Sequence, residues 1–425
     1  MESTSGWDDL RKYLFIYLLI LGCYVFFKDL LPDWDEPYYM EFADAIKKFL
    51  PHFDLAGIFG LYHTPKFSGI TALPLYHIVL ASIGLLTNAY QVLRLANVFC
   101  LLILVPVFAK IHMLLYGRED FFKQLSFVFF PIAFTHAFLI YTDYPALFFV
   151  VLALYFELEK IHWLSALTLI AGFCVRQSVA PWIVFVPLIG RAVSAPSISL
   201  REALRTFDIS QLKKRWLHLA ALAGIAAFVI VNHGFSMGDK EAQGTGKFSI
   251  GNILVFYLFA FFFFLPGAIA NIKEHARALI KSEAAVMALL AVFALFMLLY
   301  GPPVHPYNEW LTHRGTQFFV RNNIVHWTMD NLWLRVLGFA CATIGFLEIN
   351  RPLRKDIARI LTVASIVAVA PFNVTDVRYA MVPFAFYVIL RDEKNPTVAK
   401  VQTVWLFVVS LAWFWAVRKE LCTPF

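Results

Sequence analysis

Three carboxylates lie within four residues, directly after the first long apolar segment of the chain. Asp33, Asp35 and Glu36 follow residues 13–31, which are apolar and numerous enough to cross a bilayer as a helix. Acids at a helix end are ordinarily only solvated. A tight cluster at the mouth of a helix bundle can also supply a general base or ligands for a cation. The cluster is the first candidate for chemistry, and a solvated helix end is its alternative.

The string Asp33-Trp34-Asp35 matches the D-x-D pattern with which nucleotide-sugar transferases bind a divalent cation. The pattern is short, and the chain has no Gly-rich phosphate loop and no soluble segment long enough for a nucleotide-binding sheet. The five cysteines are far apart and show neither zinc nor disulfide spacing, which is typical of small packing residues. We therefore predict no metal and no cofactor.

The composition predicts that lipid surrounds the elements that position these acids. Hydrophobic residues make up 60% of the 425 residues and charged residues only 15%, against about 25% in soluble domains. The first apolar segment is too long for a cleaved signal and lacks a small-residue cleavage site. We predict an all-α polytopic membrane protein with a single integral-membrane domain, residues 1–425.

The basic residues predict the orientation of the helices. The net charge is +7, but Lys and Arg are concentrated in short loops between apolar segments, which argues for membrane topology and against nucleic-acid binding. Placing the basic loop 191–215 in the cytosol puts the N-terminus there too. The loops 32–93 and 302–331 then lie on the opposite, lumenal face. Segment 71–88 must lie along the interface, since a crossing there would put later basic loops on the wrong side.

This topology has about thirteen crossings, within a range of about twelve to fourteen. They are residues 13–31, 94–115, 122–140, 144–158, 161–176, 178–190, 216–235, 250–270, 284–301, 332–348, 357–372, 378–391 and 400–417. Polar residues that helix orientation does not explain collect on the lumenal face. Ionisable groups near membrane depth are costly and usually mark a functional site.

Carboxylates with scattered arginines and histidines on one face suit group transfer from a lipid-linked phosphate donor. Arg or His would neutralise the departing phosphate, and a carboxylate would take the proton of an acceptor hydroxyl. As alternatives, Arg176 and Arg378 reach the headgroups from helix ends, and His305 is a structural loop residue. A transporter or flippase is the alternative outside enzymes, but the chain shows no inverted repeat.

The order of the polar motifs resembles the endoplasmic-reticulum alpha-1,2-glucosyltransferases that complete the N-glycan precursor, members of the GT-C superfamily. Each motif is short, and their collinear order covers most of the chain. They are Asp35-Glu36, Thr64-Pro65-Lys66, Ile70-Thr71, Pro74-Leu75-Tyr76, Leu93-Arg94-Leu95-Ala96-Asn97, Tyr141-Thr142-Asp143, Arg176-Gln177-Ser178, Gly238-Asp239-Lys240, Val304-His305-Pro306 and Val377-Arg378-Tyr379 with Pro383.

The resemblance implies a GT-C-type bundle with lumenal interfacial helices and a lumenal active site in the endoplasmic-reticulum membrane. The donor would be dolichyl phosphate glucose, and the acceptor a dolichyl-diphosphate oligosaccharide that carries two glucoses. Transfer would invert the donor linkage and add the last glucose in alpha-1,2 linkage. The chain has Tyr39 and Phe42 where the family tends to have His and Gln. A GT-C transferase that uses another lipid-linked sugar, such as mannose, is therefore an alternative.

The resemblance also suggests roles for individual residues. Asp35 matches the catalytic base, and Glu36 would orient the acceptor or replace Asp35 as base. The candidates for holding the donor phosphate are Arg378, Arg176, His305 and Arg314. The candidates for binding substrate or supporting the site are Trp34, Lys66, Tyr76, Arg94, Asp143, Gln177, Asp239 and Tyr379.

Overall fold

The structure is a computed structural model that describes residues 6–32, 34–194, 213–238, 248–281, 283–300, 327–328, 330–372, 374–419 and 421–422. Every regular element in these ranges is an α-helix or a short 3₁₀ helix, and none of them contains a β-strand. The all-α class predicted from the sequence is confirmed for this part of the chain.

The helices follow one another with short connections. The first group is α1 Gly6–Phe27, α2 Glu36–Ile46, α3 Leu55–Leu61, α4 Leu75–Gly84, α5 Tyr90–Tyr116, α6 Phe121–Val128, α7 Pro131–His136, α8 Asp143–Leu158, α9 His162–Val175, α10 Trp182–Ser194 and α11 Trp216–Asn232. The second group is α12 Ile250–Phe263, α13 Leu265–Ala270, α14 Ile272–Ile280, α15 Glu283–Leu299, α16 Leu332–Asn350, α17 Lys355–Val369, α18 Met381–Leu390 and α19 Pro396–Arg418. The 3₁₀ helices are Leu50–His52, Gln177–Val179 and Val377–Ala380.

Five helical spans in the described ranges are long and apolar enough to cross a membrane, and α14 with α15 forms a sixth if that bent pair is one span. The chain is therefore a multi-pass membrane protein. The five are Leu10–Phe27, Tyr90–Tyr116, Gln177–Ser194, Leu332–Asn350 and Pro396–Arg418. Each predicted crossing contains helical residues, but several helices are shorter, and the total of thirteen stays a prediction.

Two predicted crossings are each divided into two helices, and proline accounts for both breaks. Segment 122–140 becomes α6 and α7, with Pro131 as the first residue of α7. Segment 250–270 becomes α12 and α13, with Pro266 in the first turn of α13. A proline lacks the N–H that would continue the preceding helix, but it is well accommodated in the first turn of a new one.

Helix α4 has only 10 residues. At 1.5 Å per residue it is roughly 15 Å long, about half of a hydrocarbon core. This length agrees with the prediction that segment 71–88 lies along the interface.

The chain divides into two compact units. Unit 1 consists of Met1–Val128 with Ala133–Gln243, and unit 2 of Phe129–Ile132 with Gly244–Phe425. In unit 1, α8 packs against α5, α9 and α10. Apolar residues occur on all sides of α8, which suits a helix at the centre of a bundle. Its first residue, Asp143, is thereby fixed at one end of the bundle.

In unit 2 the main packing is between α12 and α16. Gly345 of α16 lies against the backbone of Tyr257 in α12, and a Cβ at this position would overlap the Tyr257 carbonyl oxygen. Small residues let membrane helices approach in this way, so that dispersion contacts replace the missing hydrophobic drive. The single-domain organisation stays a prediction, and loop 302–331 lies outside the described residues except for 327–328 and 330–331.

Candidate active site

The acid that follows Asp35 forms a fully buried ion pair. Both Glu36 oxygens are bonded to Arg94, at 2.9 Å from Nε to Oε1 and 2.6 Å from Nη2 to Oε2. Both side chains are 0% exposed. Glu36 Oε1 also accepts the backbone N–H of Ile140 at 2.7 Å, and Arg94 Nη1 donates to the Leu30 carbonyl at 2.7 Å. The pair therefore joins the end of the α1–α2 loop to α5 and to the turn before α8.

Asp35 lies beside this pair, half-buried, at the N-cap position of α2. An aspartate at this position usually accepts a hydrogen bond from the first turn, but the Asp35 side chain makes no such bond. Trp34 has a φ of +57°, in the left-handed region that bulky residues rarely occupy. Such strain costs about 1–3 kcal/mol and persists where the surroundings impose it, which is common at active sites.

The turn at residues 139–141 holds Asp35 from the other side. The backbone N–H of Asp35 donates to the Tyr141 hydroxyl at 3.3 Å. Asn97 fixes the turn, because its amide nitrogen donates to the carbonyls of Leu139 at 2.7 Å and Tyr141 at 2.9 Å. Asn97 is fully buried and lies one helical turn from Arg94 on the same face of α5. One face of α5 therefore positions both Glu36 and the contact of Asp35.

Arg176 closes the start of α8. Its Nη1 donates to Asp143 Oδ2 and to Thr142 Oγ1, both at 2.9 Å. The Arg176 side chain is 14% exposed and that of Asp143 only 3%. The predicted phosphate-binding arginine is thus held in place by a predicted supporting carboxylate.

The backbone oxygen of Thr71 joins the next two motifs. It accepts the side-chain amide of Gln177 at 2.8 Å and the backbone N–H of Met237 at 3.0 Å. Gly238 follows with a φ of +59°, and a Cβ there would overlap the Ser68 carbonyl oxygen. The glycine of the Gly238-Asp239-Lys240 motif therefore has a structural cause, a left-handed turn pressed against the loop before α4.

An aromatic cluster supports α2 on α4. His77 is fully buried, and its ring lies edge-on to Phe42 at 5.0 Å and to Tyr39 at 5.2 Å between centroids. Burial lowers the pKa of His77 to about 3, so the imidazole is neutral near pH 7. Burial likewise raises the pKa of the neighbouring Tyr76 well above its ordinary value. Tyr39 and Phe42, which depart from the family pattern, are therefore packing residues of this cluster.

Lys66 is more exposed than the residues around Glu36. Its ammonium pairs with Glu41 at 3.0 Å, with side-chain exposures of 63% and 55%. Its backbone carbonyl accepts the Tyr38 hydroxyl at 2.9 Å. The Lys66 charge lies at the surface of unit 1, while its backbone is tied to α2.

Unit 2 contains a separate group of motif residues. Arg378 pairs with Asp376, at 2.7 Å from Nη2 to Oδ2, and Tyr379 stacks on Phe372 with ring centroids 3.7 Å apart. Asn252 of α12 accepts the Thr375 hydroxyl at 2.8 Å. The 3₁₀ helix that carries Arg378 is thereby held against α12.

The predicted site residues fall into three groups. Unit 1 brings most of them into one bonded region, and unit 2 holds Arg378 and Tyr379. The unit 1 members are Trp34, Asp35, Glu36, Lys66, Tyr76, Arg94, Asp143, Arg176 and Gln177. Four residues that carried sequence predictions lie outside the described ranges: Asp33, Asp239, His305 and Arg314.

Sequence reasoning did not assign roles to Tyr141, Asn97 and His77. The three-residue spacing of Arg94 and Asn97 in an apolar helix was a usable signal, whereas no local pattern marks His77. Within the described ranges no three His, Cys, Asp or Glu residues group closely enough to hold a metal ion. Since Asp33 is not among them, the predicted absence of a metal stays a prediction.

A family model described as the DIE2/ALG10 family matches residues 65–389. The chain belongs to the DIE2/ALG10 family. The resemblance inferred from the order of the motifs is confirmed. The matched region includes Arg94, Asp143, Arg176 and Arg378 and begins after Asp35 and Glu36.

Three curated relatives of this DIE2/ALG10 chain carry one name, Dol-P-Glc:Glc(2)Man(9)GlcNAc(2)-PP-Dol alpha-1,2-glucosyltransferase. The Candida glabrata protein is 25% identical over 62% of this chain and 54% of its own length. The Debaryomyces hansenii protein is 24% identical over 78% of this chain and 75% of its own length. The Candida albicans protein is 27% identical over 39% and 38%. The chain thus spans about half of the Candida glabrata relative, and no solved structure matches it.

Proposed function

We propose that the protein is an inverting glucosyltransferase that moves glucose from dolichyl phosphate glucose to the terminal glucose of a dolichyl-diphosphate oligosaccharide. The product would carry the final alpha-1,2 linkage of the N-glycan precursor. Family membership and the relatives' shared name support this activity. The observation that carries the proposal is that motifs between residues 35 and 238 of the sequence meet in one bonded region of unit 1.

Asp35 acts as the general base. Its carboxylate takes the proton of the acceptor 2-hydroxyl while that oxygen attacks the anomeric carbon from the face opposite the phosphate. The bond from the anomeric carbon to the phosphate oxygen breaks, and dolichyl phosphate leaves with the electron pair. Attack from the opposite face converts a beta-linked donor into an alpha-linked product. Asp35 suits this role because its side chain does not cap α2 and its backbone is fixed by Tyr141.

Glu36 serves as a positioning residue. Both of its oxygens are engaged by Arg94 and one also by Ile140, inside the protein. A carboxylate in this state is a poor proton acceptor, because protonation would leave Arg94 buried without its counter-charge. Of the two roles open to Glu36, we therefore assign the positioning of the catalytic turn.

Arginine holds the donor phosphate. Arg176 and Arg378 are both mostly buried and paired with a carboxylate, which fixes each guanidinium before a substrate arrives. Charge-assisted contacts to phosphate are about twice as strong as neutral hydrogen bonds. His305 and Arg314 remain candidates for the same phosphate, with Asp239 and Tyr379 as candidates for substrate binding. No metal or other cofactor is proposed.

The protein would reside in the endoplasmic-reticulum membrane with a cytosolic N-terminus and a lumenal active site. The basic loops predicted to be cytosolic support this orientation. Its partners would be the two lipid-linked substrates and the surrounding membrane lipids, with no nucleic acid.

The test uses the purified protein, dolichyl phosphate glucose and a lipid-linked oligosaccharide with two terminal glucoses. Mass spectrometry should show a gain of one hexose, and linkage analysis should show a new alpha-1,2 bond. Dolichyl phosphate mannose, offered in parallel, should give no product. A product from the mannose donor alone would replace the proposal with the mannosyltransferase alternative. Translocation of the lipid without a new glycosidic bond would favour a transporter.

A further inference from the structure

Helix α14 has two chemically different sides, and both are exposed. Ile272 and Ile280, at its two ends, are 45% and 74% exposed. Lys273 and Arg277, together with Lys281 just after the helix, are spaced four residues apart and are also exposed. At 100° per residue these three cations share one side of the helix, and the two isoleucines lie on an adjacent arc. The chain therefore spends exposed apolar surface on the same short helix that carries its cations.

The direction of α14 fits a helix that lies along a membrane surface. It makes an angle of 99° with α15, an apolar helix of 17 residues. A helix nearly perpendicular to an apolar neighbour that enters the bilayer lies close to the membrane plane. Apolar side chains then reach the acyl boundary while cations stay at headgroup level, which is the arrangement of interfacial amphipathic helices.

A buried carboxylate fixes α14 in this direction. Glu348, at the end of α16, is 0% exposed and bonds to His275 of α14 at 3.1 Å and to Asn271, just before α14, at 3.3 Å. Arg351 and Arg391 also reach Glu348, at 3.3 and 3.2 Å. One acid thus gathers contacts from three loops predicted to face the cytosol, so the surface of α14 is held in one orientation.

We propose that α14 is a binding surface for anionic phospholipid headgroups. Segment 272–281 carries three cations and one acid, Glu274, so its charge is complementary to an anionic leaflet. Exposed isoleucines beside the cations favour a lipid surface over a soluble acidic partner, because insertion removes them from water. This surface lies entirely in unit 2 and is independent of the residues assigned to catalysis.

Native mass spectrometry of the purified full-length protein in detergent tests the proposal. The probes are dioctanoyl phosphatidylserine and dioctanoyl phosphatidylcholine, which have the same chains but different headgroup charge. The wild type should bind the serine lipid more tightly, and raising the salt should reduce that preference. The triple variant Lys273→Gln/Arg277→Gln/Lys281→Gln should lose roughly fivefold in affinity for the serine lipid per cation, on the order of 100-fold in all.

The matched control removes three exposed cations elsewhere on the face predicted to be cytosolic. The variant Lys160→Gln/Lys213→Gln/Lys214→Gln has the same change in net charge and should keep the wild-type preference. Equal losses in the two triple variants would overturn the proposal, since binding would then follow net charge. A wild type without any preference for the serine lipid would overturn it as well.

Discussion

The buried pair of Glu36 and Arg94 allows a quantitative test of how the catalytic turn is held. The variant Arg94→Met removes the guanidinium and leaves Glu36, at 0% exposure, with the Ile140 N–H as its remaining contact among those described above. Breaking a buried pair by removing one partner costs about 3–5 kcal/mol. We expect a loss of that size in the free energy of unfolding.

A double-mutant cycle separates the pair from its surroundings. Glu36→Leu combined with Arg94→Met removes both charges, so the double variant should be less destabilised than the sum of the single losses by at least about 2 kcal/mol. It should not reach wild-type stability, because the Ile140 N–H and the Leu30 carbonyl lose their charged partners. Unfolding in mixed micelles with increasing sodium dodecyl sulfate supplies the free energies.

The exposed pair of Lys66 and Glu41 is the control for this cycle. Lys66→Met should cost less than about 1 kcal/mol, because exposed ion pairs contribute little. A cost below about 1 kcal/mol for Arg94→Met, or strictly additive losses in the cycle, would refute the assignment of the buried pair as the anchor of the turn.

Three further predictions concern other parts of the structure. Gly238→Ala should destabilise the protein by at least about 1–2 kcal/mol in the same unfolding assay, because it adds a Cβ at positive φ against the Ser68 carbonyl; Gly224→Ala, which has open space, is the control. The pKa of His77 is about 3 in the folded protein and about 6.5 when unfolded, so stability should fall by about 2 kcal/mol between pH 6.5 and pH 5; His77→Phe should remove that part of the slope, and an unchanged slope would contradict it. Arg378→Gln should lower kcat/KM for the donor by about 10- to 150-fold while Arg378→Lys keeps more activity, and wild-type kinetics in Arg378→Gln would exclude a phosphate contact.

The sequence predicts the class and much of the helix placement, because hydrophobic length and loop charge are local properties. It predicts the divisions of segments 122–140 and 250–270 less well, although Pro131 and Pro266 were visible. Apolar composition reports burial in lipid or protein and does not distinguish one helix from two. Proline position is the additional signal that divides these segments.

The sequence also places the motifs in order, but it does not distinguish the two acids at their start. Asp35 and Glu36 are neighbours of similar chemistry, and their different environments depend on Arg94, 58 residues away. The meeting point of Gln177 and Met237 is a backbone oxygen of Thr71, which no side-chain pattern reveals. Long-range contacts and main-chain acceptors are therefore the part of the site that needs a structure.

The most direct test of the account is glucose transfer by Asp35→Asn, measured beside Asp29→Asn. Asp29 has a 62% exposed side chain in the same loop, and its substitution makes the same chemical change away from the bonded region. With dolichyl phosphate glucose and the two-glucose acceptor, Asp35→Asn should form almost no hexose-extended product although it is folded. Asp29→Asn should match the wild type. Near-wild-type transfer by folded Asp35→Asn would contradict the assignment of Asp35 as the base.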